Sequence, residues 1–354
     1  MRILCFNWRD IRNPAGGGAE WYTHQILKRL CAKGHEATLF TSGYPGALNE
    51  EEIDGIRVVR QGDRFSVYRR AKRFYETDPE RYDVIIDEIN TVPFMTPRYV
   101  RRGEKVVTLI HQLAREFWYY EMPYPVAWAG YHYFEHHWLK KYRDTMTITV
   151  SDSTKNELLG LGFKDVHVVP NGLNVDTLNA VPTKTSEPSI IFVGRLKKAK
   201  RPQDVAEAYG ILKDTHPSLR LTVVGDGYLL EGMREKYPDV EFRGYVDKAV
   251  RDELVARSWT IAVPGVREGW GQVVTDSNAL GTPAVGYNIP GLRDSIKDGY
   301  NGILVEPDPT SMAKGLHMLL SEGDMRTKLS ENALEWSRRF SWDKSSQEFE
   351  ALLK

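Results

Sequence analysis

The sequence predicts an α/β protein built from two doubly wound units. Three observations carry this. Short apolar runs alternate with helically spaced segments along the whole chain. The first run is followed by a glycine-rich turn that opens a helix. The alternation halts at a non-periodic linker and then starts again. The 354 residues fit two domains at about 150 residues each.

The elements follow in order. Residues 3–7 read as a buried strand, 13–18 as the glycine-rich loop and 19–32 as a helix that stops at Lys33-Gly34. Residues 36–41 are the next strand, which completes a β-α-β unit. Further strands are expected at 57–60, 83–87, 105–110 and 146–150. Ser151-Asp152-Ser153 caps a helix to about Leu161, and 166–169 is the last strand of this half before Pro170-Asn171-Gly172 turns the chain. Residues 174–188 hold Pro182, Pro188 and a Thr/Lys/Ser stretch without periodicity, the mark of a linker. Then come a strand at 189–193, a helix at 202–213 with proline in its first turn, and strands at 219–224, 240–243, 260–263 and 283–286. In open sheets of this kind ligands bind beyond the carboxyl ends of the strands, so both halves are expected to face a shared cleft.

Composition excludes several classes. Hydrophobic residues at 41% and charged residues at 27% are ordinary for a globular chain. Lys+Arg and Asp+Glu are both 48, which gives no sign of a nucleic-acid binder. Two cysteines, Cys5 and Cys31, cannot make a disulfide framework and suit a reducing compartment. No apolar run approaches the roughly 18 residues of a membrane span, and the opening residues read as a strand rather than a signal peptide. The expectation is a soluble cytoplasmic protein.

Three clusters can carry chemistry. Gly16-Gly17-Gly18 follows a strand and opens a helix, where backbone N–H groups can hold an anion. It is neither GxGxxG nor a Walker motif, and a plain strand-to-helix turn is an equal reading. Gly194-Arg195-Leu196-Lys197-Lys198-Ala199-Lys200 directly follows a buried strand; Arg195 and Lys200 can set two positive charges on a diphosphate. Glu268-Gly269-Trp270-Gly271-Gln272 opens a helix. Its N–H groups can meet phosphate oxygens while Glu268 accepts bonds from hydroxyls, and Asp276, eight residues on, can serve another part of the same ligand.

Together these segments resemble the family 4 retaining glycosyltransferases, whose GT-B fold has two facing Rossmann-like domains. Gly16-Gly17-Gly18-Ala19-Glu20 is similar to the family's GGAE loop, and Val168 to Asp176 to its PNGVD segment. Gly194-Arg195-Leu196 with Lys200 is similar to its GRL-x3-K pattern, Val224-Gly225-Asp226-Gly227 to its VGDG turn and Glu268-Gly269-Trp270-Gly271 to its EGFG motif. Phe340-Ser341-Trp342-Asp343 resembles its FSW segment, which precedes a last helix that crosses back to the N-terminal domain. The resemblance implies an acceptor-binding domain at 1–173, a nucleotide-sugar domain at 174–340 and a returning helix in 341–354.

It also implies roles. Arg195 and Lys200 would bind the donor diphosphate, and Glu268 the donor-sugar hydroxyls. Gly269, Trp270 and Gly271 would line sugar and phosphate through their backbone, with Gly17, Gly18, Gly225 and Asp226 also on the donor. His111 would be the reaction-centre histidine. The family has E-x7-E, its second Glu on the ribose; here Asp276 takes that place, one methylene shorter. The expected reaction moves a sugar from a nucleotide diphosphate sugar to an acceptor hydroxyl, with no cofactor and no metal. Arg195, Lys200 and helix N-termini stabilise the leaving diphosphate. No carboxylate stands out as a covalent nucleophile, which favours front-face attack with the leaving phosphate oxygen taking the acceptor's proton. A sugar-nucleotide epimerase, a trehalose- or sucrose-type synthase and a non-catalytic carbohydrate- or nucleotide-binding module are the alternatives.

The stretch from Phe117 to Tyr142 is crowded with aromatics and ends in Lys140, Lys141 and Arg143. With the basic runs Arg69 to Arg73 and Arg98 to Arg102 it suggests contact with an anionic membrane surface and a lipid-linked or glycan acceptor, set against a plain packed loop and helix. His132-Tyr133-Phe134-Glu135-His136 also spells H-x-x-E-H, a zinc-peptidase pattern, but short patterns arise by chance in so His-rich a stretch.

Overall fold

Residues 3–6 form a central strand because Ile3-Leu4-Cys5-Phe6 is an unbroken apolar run, buried on both faces as parallel strands are. The computed structural model describes Met1–Lys354. Two units emerge: Met1–Trp118 with Pro123–Gly172 and Ser341–Lys354, and Tyr119–Met122 with Leu173–Phe340.

The first unit runs β1 (Arg2–Phe6), α1 (Gly18–Ala32), β2 (Glu36–Thr41), β3 (Glu50–Ile53), β4 (Ile56–Arg60), α2 (Val67–Thr77), β5 (Val84–Glu88) and β6 (Lys105–Ile110). Then come α3 (Phe117–Glu121), α4 (Tyr124–Ala129), a π-helical turn at Gly130–Phe134, α5 (Glu135–Leu139), β7 (Met146–Thr149), α6 (Asp152–Gly160) and β8 (Val166–Val168). The strand order is β3-β4-β2-β1-β5-β6-β7-β8. Every pairing is parallel except the β3/β4 hairpin. The chain starts at the centre, builds outward to β4 and crosses back to β5, so the topological switch lies between β1 and β5.

The second unit runs β9 (Ser189–Val193), α7 (Pro202–Leu212), β10 (Arg220–Val224), α8 (Leu230–Lys236), β11 (Glu241–Gly244), α9 (Lys248–Arg257) and β12 (Thr260–Val263). It continues with α10 (Gln272–Ala279), β13 (Ala284–Tyr287), α11 (Leu292–Ser295), β14 (Gly302–Val305), α12 (Pro309–Ser321) and α13 (Gly323–Ser337). Its all-parallel sheet has the order β11-β10-β9-β12-β13-β14. The switch here lies between β9 and β12.

The last helix, α14 (Trp342–Leu353), packs on α1 of the first unit. Trp342 and Phe349 meet the Tyr22 ring edge-on, and the ion pairs Arg29–Asp343 and Lys33–Glu350 flank them. Gly172 is small for a local reason: a Cβ there would strike the backbone of Ser341 and Trp342.

The structure adds to the sequence reading in three places. β3 and β14 lay outside the expected strands. β3 is Glu-Glu-Glu-Ile, held by Arg57 on Glu50 and by Arg60 and Arg12 on Glu51. The linker is not loose: Leu178 N–H donates to Ala279 O, Thr185 N–H to Arg257 O, and Lys184 Nζ to Ala256 O and Thr282 Oγ1. The aromatic stretch is helical. Trp118 is buried at 6% exposure with its ring on the Gly130 backbone, Trp138 is half-buried, and only Trp128 of the three is open, at 52%.

Candidate functional site

In the second unit the loops after β9 and β12, the two strands at the switch, converge. This is the place where open parallel sheets hold ligands. After β9, Gly194 N–H donates to Val224 O and Leu196 N–H to Asp226 O, which ties the loop to the β10 turn. Gly225 (φ +133°) and Gly227 (φ +157°) are required there, because a side chain on either would collide with the carbonyls of Gly194 and Leu196. The Asp226 carboxylate accepts from Gly227 N–H at 2.7 Å. Asp226 and Gly225 therefore shape the loop that carries the cations.

That loop carries Arg195, exposed, and Lys197 and Lys200, both half-buried. Burial pushes the Lys197 ammonium pKa down; Glu121, 3.5 Å from its Nζ, opposes this, and the positive charges of Lys200 and Arg195 add to it. Lys197 was not singled out in the sequence; its place between two diphosphate candidates was the available signal. Lys200 Nζ meets Glu268 Oε1 at 2.5 Å. Val266 N–H donates to Ala199 O, which fastens the two loops at the backbone as well.

Glu268 stands on the loop that leads into α10. Gly271 (φ +83°) caps that helix in a conformation that suits glycine. The Trp270 side chain is buried against the edge of Phe340 at 5.1 Å, so this residue can offer a ligand only its backbone. Arg267, which precedes Glu268 in the chain, is also buried.

Asp276 is engaged within the chain. Its Oδ1 accepts from Asn174 N–H at 2.9 Å and Gln272 Nε2 at 2.7 Å, and its Oδ2 from Asn174 Nδ2 at 3.2 Å. The carboxylate thus clamps the chain where it enters this unit. Burial pushes its pKa up to about 6 against the pull of those donors.

The expected residues of the first unit lie in loops after β1 and β6. Gly17 N–H is already bonded to Glu20 Oε2 at 2.6 Å, and Arg9 pairs with Glu20 Oε1 at 2.9 Å. An anion at Gly17 would have to displace that carboxylate; Gly18 begins α1. His111 follows β6 and is 8% exposed, its Nε2 at 3.2 Å from Glu88 Oε1. In the H-x-x-E-H stretch, Glu135 is buried and accepts from Ala114 N–H (2.5 Å) and Arg115 N–H (2.9 Å). It is a backbone clamp, unavailable as the base a zinc peptidase needs. No group of three or more His, Cys, Asp or Glu side chains is placed to hold a metal ion.

Comparison with known proteins agrees with this frame. Residues 16–177 match Glycosyltransferase Family 4 and residues 176–336 match Glycosyl transferases group 1. An uncharacterised glycosyltransferase of Methanocaldococcus jannaschii is 27% identical, over 98% of this chain and 96% of its own. A sucrose-phosphate synthase from Thermosynechococcus elongatus superposes with a TM-score of 0.80 at 18% identity, covering 99% and 98% of the two chains. Anabaena HepE, solved with UDP-glucose, gives 0.74 at 18% identity, with 100% and 99% coverage. The fold is GT-B, and the chain resembles family 4 glycosyltransferases through both halves.

Proposed function

We propose that this chain, a family 4-type glycosyltransferase in both of its halves, moves a sugar from a nucleoside diphosphate sugar to an acceptor hydroxyl with retained anomeric configuration, using neither metal nor cofactor. The observation that carries the reading is the 2.5 Å pair of Lys200 and Glu268. It joins a cation suited to the leaving phosphate with a carboxylate suited to sugar hydroxyls, at the strand ends where ligands bind.

In this reading Arg195, Lys197 and Lys200 meet the charge that develops on the departing diphosphate, and Glu268 fixes the sugar beside it. Gly269, Trp270 and Gly271 contribute backbone groups, and His111 serves the reacting sugar. The bond from the anomeric carbon to the phosphate oxygen breaks, the bond to the acceptor oxygen forms on the same face, and the acceptor's proton passes to the leaving phosphate.

The acceptor carries an apolar portion. Tyr124, Trp128 and Tyr133 are exposed along one helical stretch of the first unit, more apolar surface than a sugar acceptor calls for. Helix α2 adds exposed Arg69, Arg70, Lys72 and Arg73, a face suited to anionic headgroups. No helix is long and apolar enough to cross a membrane, so the contact proposed is peripheral.

The test is proton NMR of the product, formed in EDTA. The expected result is an anomeric coupling that matches the donor. Inverted coupling removes the retaining assignment, and donor consumed to free nucleotide and an altered sugar without acceptor would favour the epimerase.

A further inference from the structure

The end of β5 hides a carboxylate that the reaction described above does not use. Glu88 is buried, and three donors converge on it: Thr23 Oγ1 on Oε2 at 2.5 Å, and His111 Nε2 at 3.2 Å and Asn90 Nδ2 at 3.3 Å on Oε1. The sheet order explains the meeting. Thr23 lies on the helix that follows β1, Glu88 ends β5 and His111 follows β6, and these three strands are neighbours at the switch.

His111 is fixed in other ways too. Its carbonyl accepts from Thr154 Oγ1 at 3.2 Å, and its ring meets the Tyr22 ring edge-on at 5.1 Å. Its Nδ1 makes no hydrogen bond within the chain and is not sealed from solvent. Ring plane, backbone and one nitrogen are held, and one nitrogen is left for work.

The chemistry of the partners sets the proton. Burial raises the Glu88 pKa, while the His111 and Thr23 bonds lower it. A carboxylate faced by donors accepts from Nε2–H, and a neutral imidazole with its proton on Nε2 has a lone pair on Nδ1. A protonated Glu88 would donate to Nε2 instead and leave the proton on Nδ1.

We infer that Glu88 is a positioning residue that takes the Nε2–H of His111, so that Nδ1 is left to accept a hydrogen bond from a hydroxyl of the bound sugar. The inference rests on the reading of His111 as a group at the reacting sugar. Carboxylates that orient a histidine in this way decide which nitrogen works.

The full chain labelled with 15N-histidine tests this without any substrate, its His111 signal assigned by loss in His111→Gln. At neutral pH the long-range proton–nitrogen spectrum should show Nε2 protonated and Nδ1 bare. A ring protonated on Nδ1, alone or together with Nε2, overturns the proposal. Glu88→Gln should mix the two forms and lower kcat about 2-fold or more, in step with the share of the Nδ1-bare form that is lost. A folded Glu88→Gln with the wild-type tautomer and kcat also overturns it. If that variant does not fold, Thr23→Val removes one anchor of the carboxylate and should shift the same signals, and an unchanged spectrum again contradicts the proposal. Failure of the transferase reading looks different: the tautomer is as stated, yet no donor is turned over.

Discussion

Lys200 and Glu268 are 68 residues apart in sequence, yet Nζ and Oε1 lie 2.5 Å from each other. The sheet brings them together, because β9 and β12 are sequence-distant but hydrogen-bonded neighbours. Both side chains are only partly exposed, so the pair is screened less than a surface bridge.

Replacing the cations should expose their role. Lys200→Ala and Arg195→Ala should each lower turnover by roughly 10²-fold, since the lost charge faces the leaving group. Melting temperature should move little for Arg195→Ala, whose side chain is exposed, and fall for Lys200→Ala, which leaves the half-buried Glu268 without its cation. Nucleotide release assays on the two variants check this; near-normal turnover in both removes the diphosphate assignment.

The glycine turn behind the loop makes a separate prediction. Gly225→Ala forces a Cβ into the Gly194 carbonyl at φ +133°. It should destabilise the second unit by about 1–3 kcal/mol and weaken donor binding together. Urea denaturation and donor titration of the same preparation measure both. A variant of wild-type stability and affinity would show that the turn does not set the loop.

The sheets were legible because each central strand is a bare apolar run, as in Ile190-Ile191-Phe192 and Val84-Ile85-Ile86. β3 was not, because three glutamates mask it and its stability comes from Arg57, Arg60 and Arg12 on other elements. Its Asp54-Gly55 turn, φ 52° and 81°, was the missed signal for a two-residue hairpin. In the site, Arg195, Lys200 and Glu268 could be found because loop position after a strand carries chemistry. The partners of Asp276 and Glu88 could not. They depend on Asn174, 102 residues from Asp276, and on Thr23, 65 residues from Glu88.

Asp276 gives a pH-dependent stability. Its pKa is raised from 3.8 to about 6 in the folded chain. The folded state then holds a proton that the unfolded state has released. The corresponding stability is full below about pH 3.8 and is lost as pH rises through about 6. Wild type compared with Asp276→Ala should therefore show an advantage that shrinks between pH 4 and pH 7, read from urea midpoints. An advantage that grows over that range would mean the Asn174 and Gln272 donors outweigh burial.

The aromatic segment separates two kinds of tryptophan. Trp128→Ser should reduce sedimentation with anionic liposomes, an effect that added salt should weaken further by screening the basic face. Trp118→Ser should instead cost about 3–5 kcal/mol of stability, because that ring fills the space over Gly130. Equal liposome binding by wild type and Trp128→Ser at low salt would dismiss the membrane contact.

The most direct test of the donor site is a thermal-shift screen of uridine, guanosine and adenosine diphosphate sugars against wild type and Lys200→Ala in EDTA. One donor should stabilise wild type by about 2.7 kcal/mol at a concentration of 100 Kd, and Lys200→Ala should lose most of that shift. Stabilisation of both proteins to the same degree, or of neither by any donor, would contradict the account.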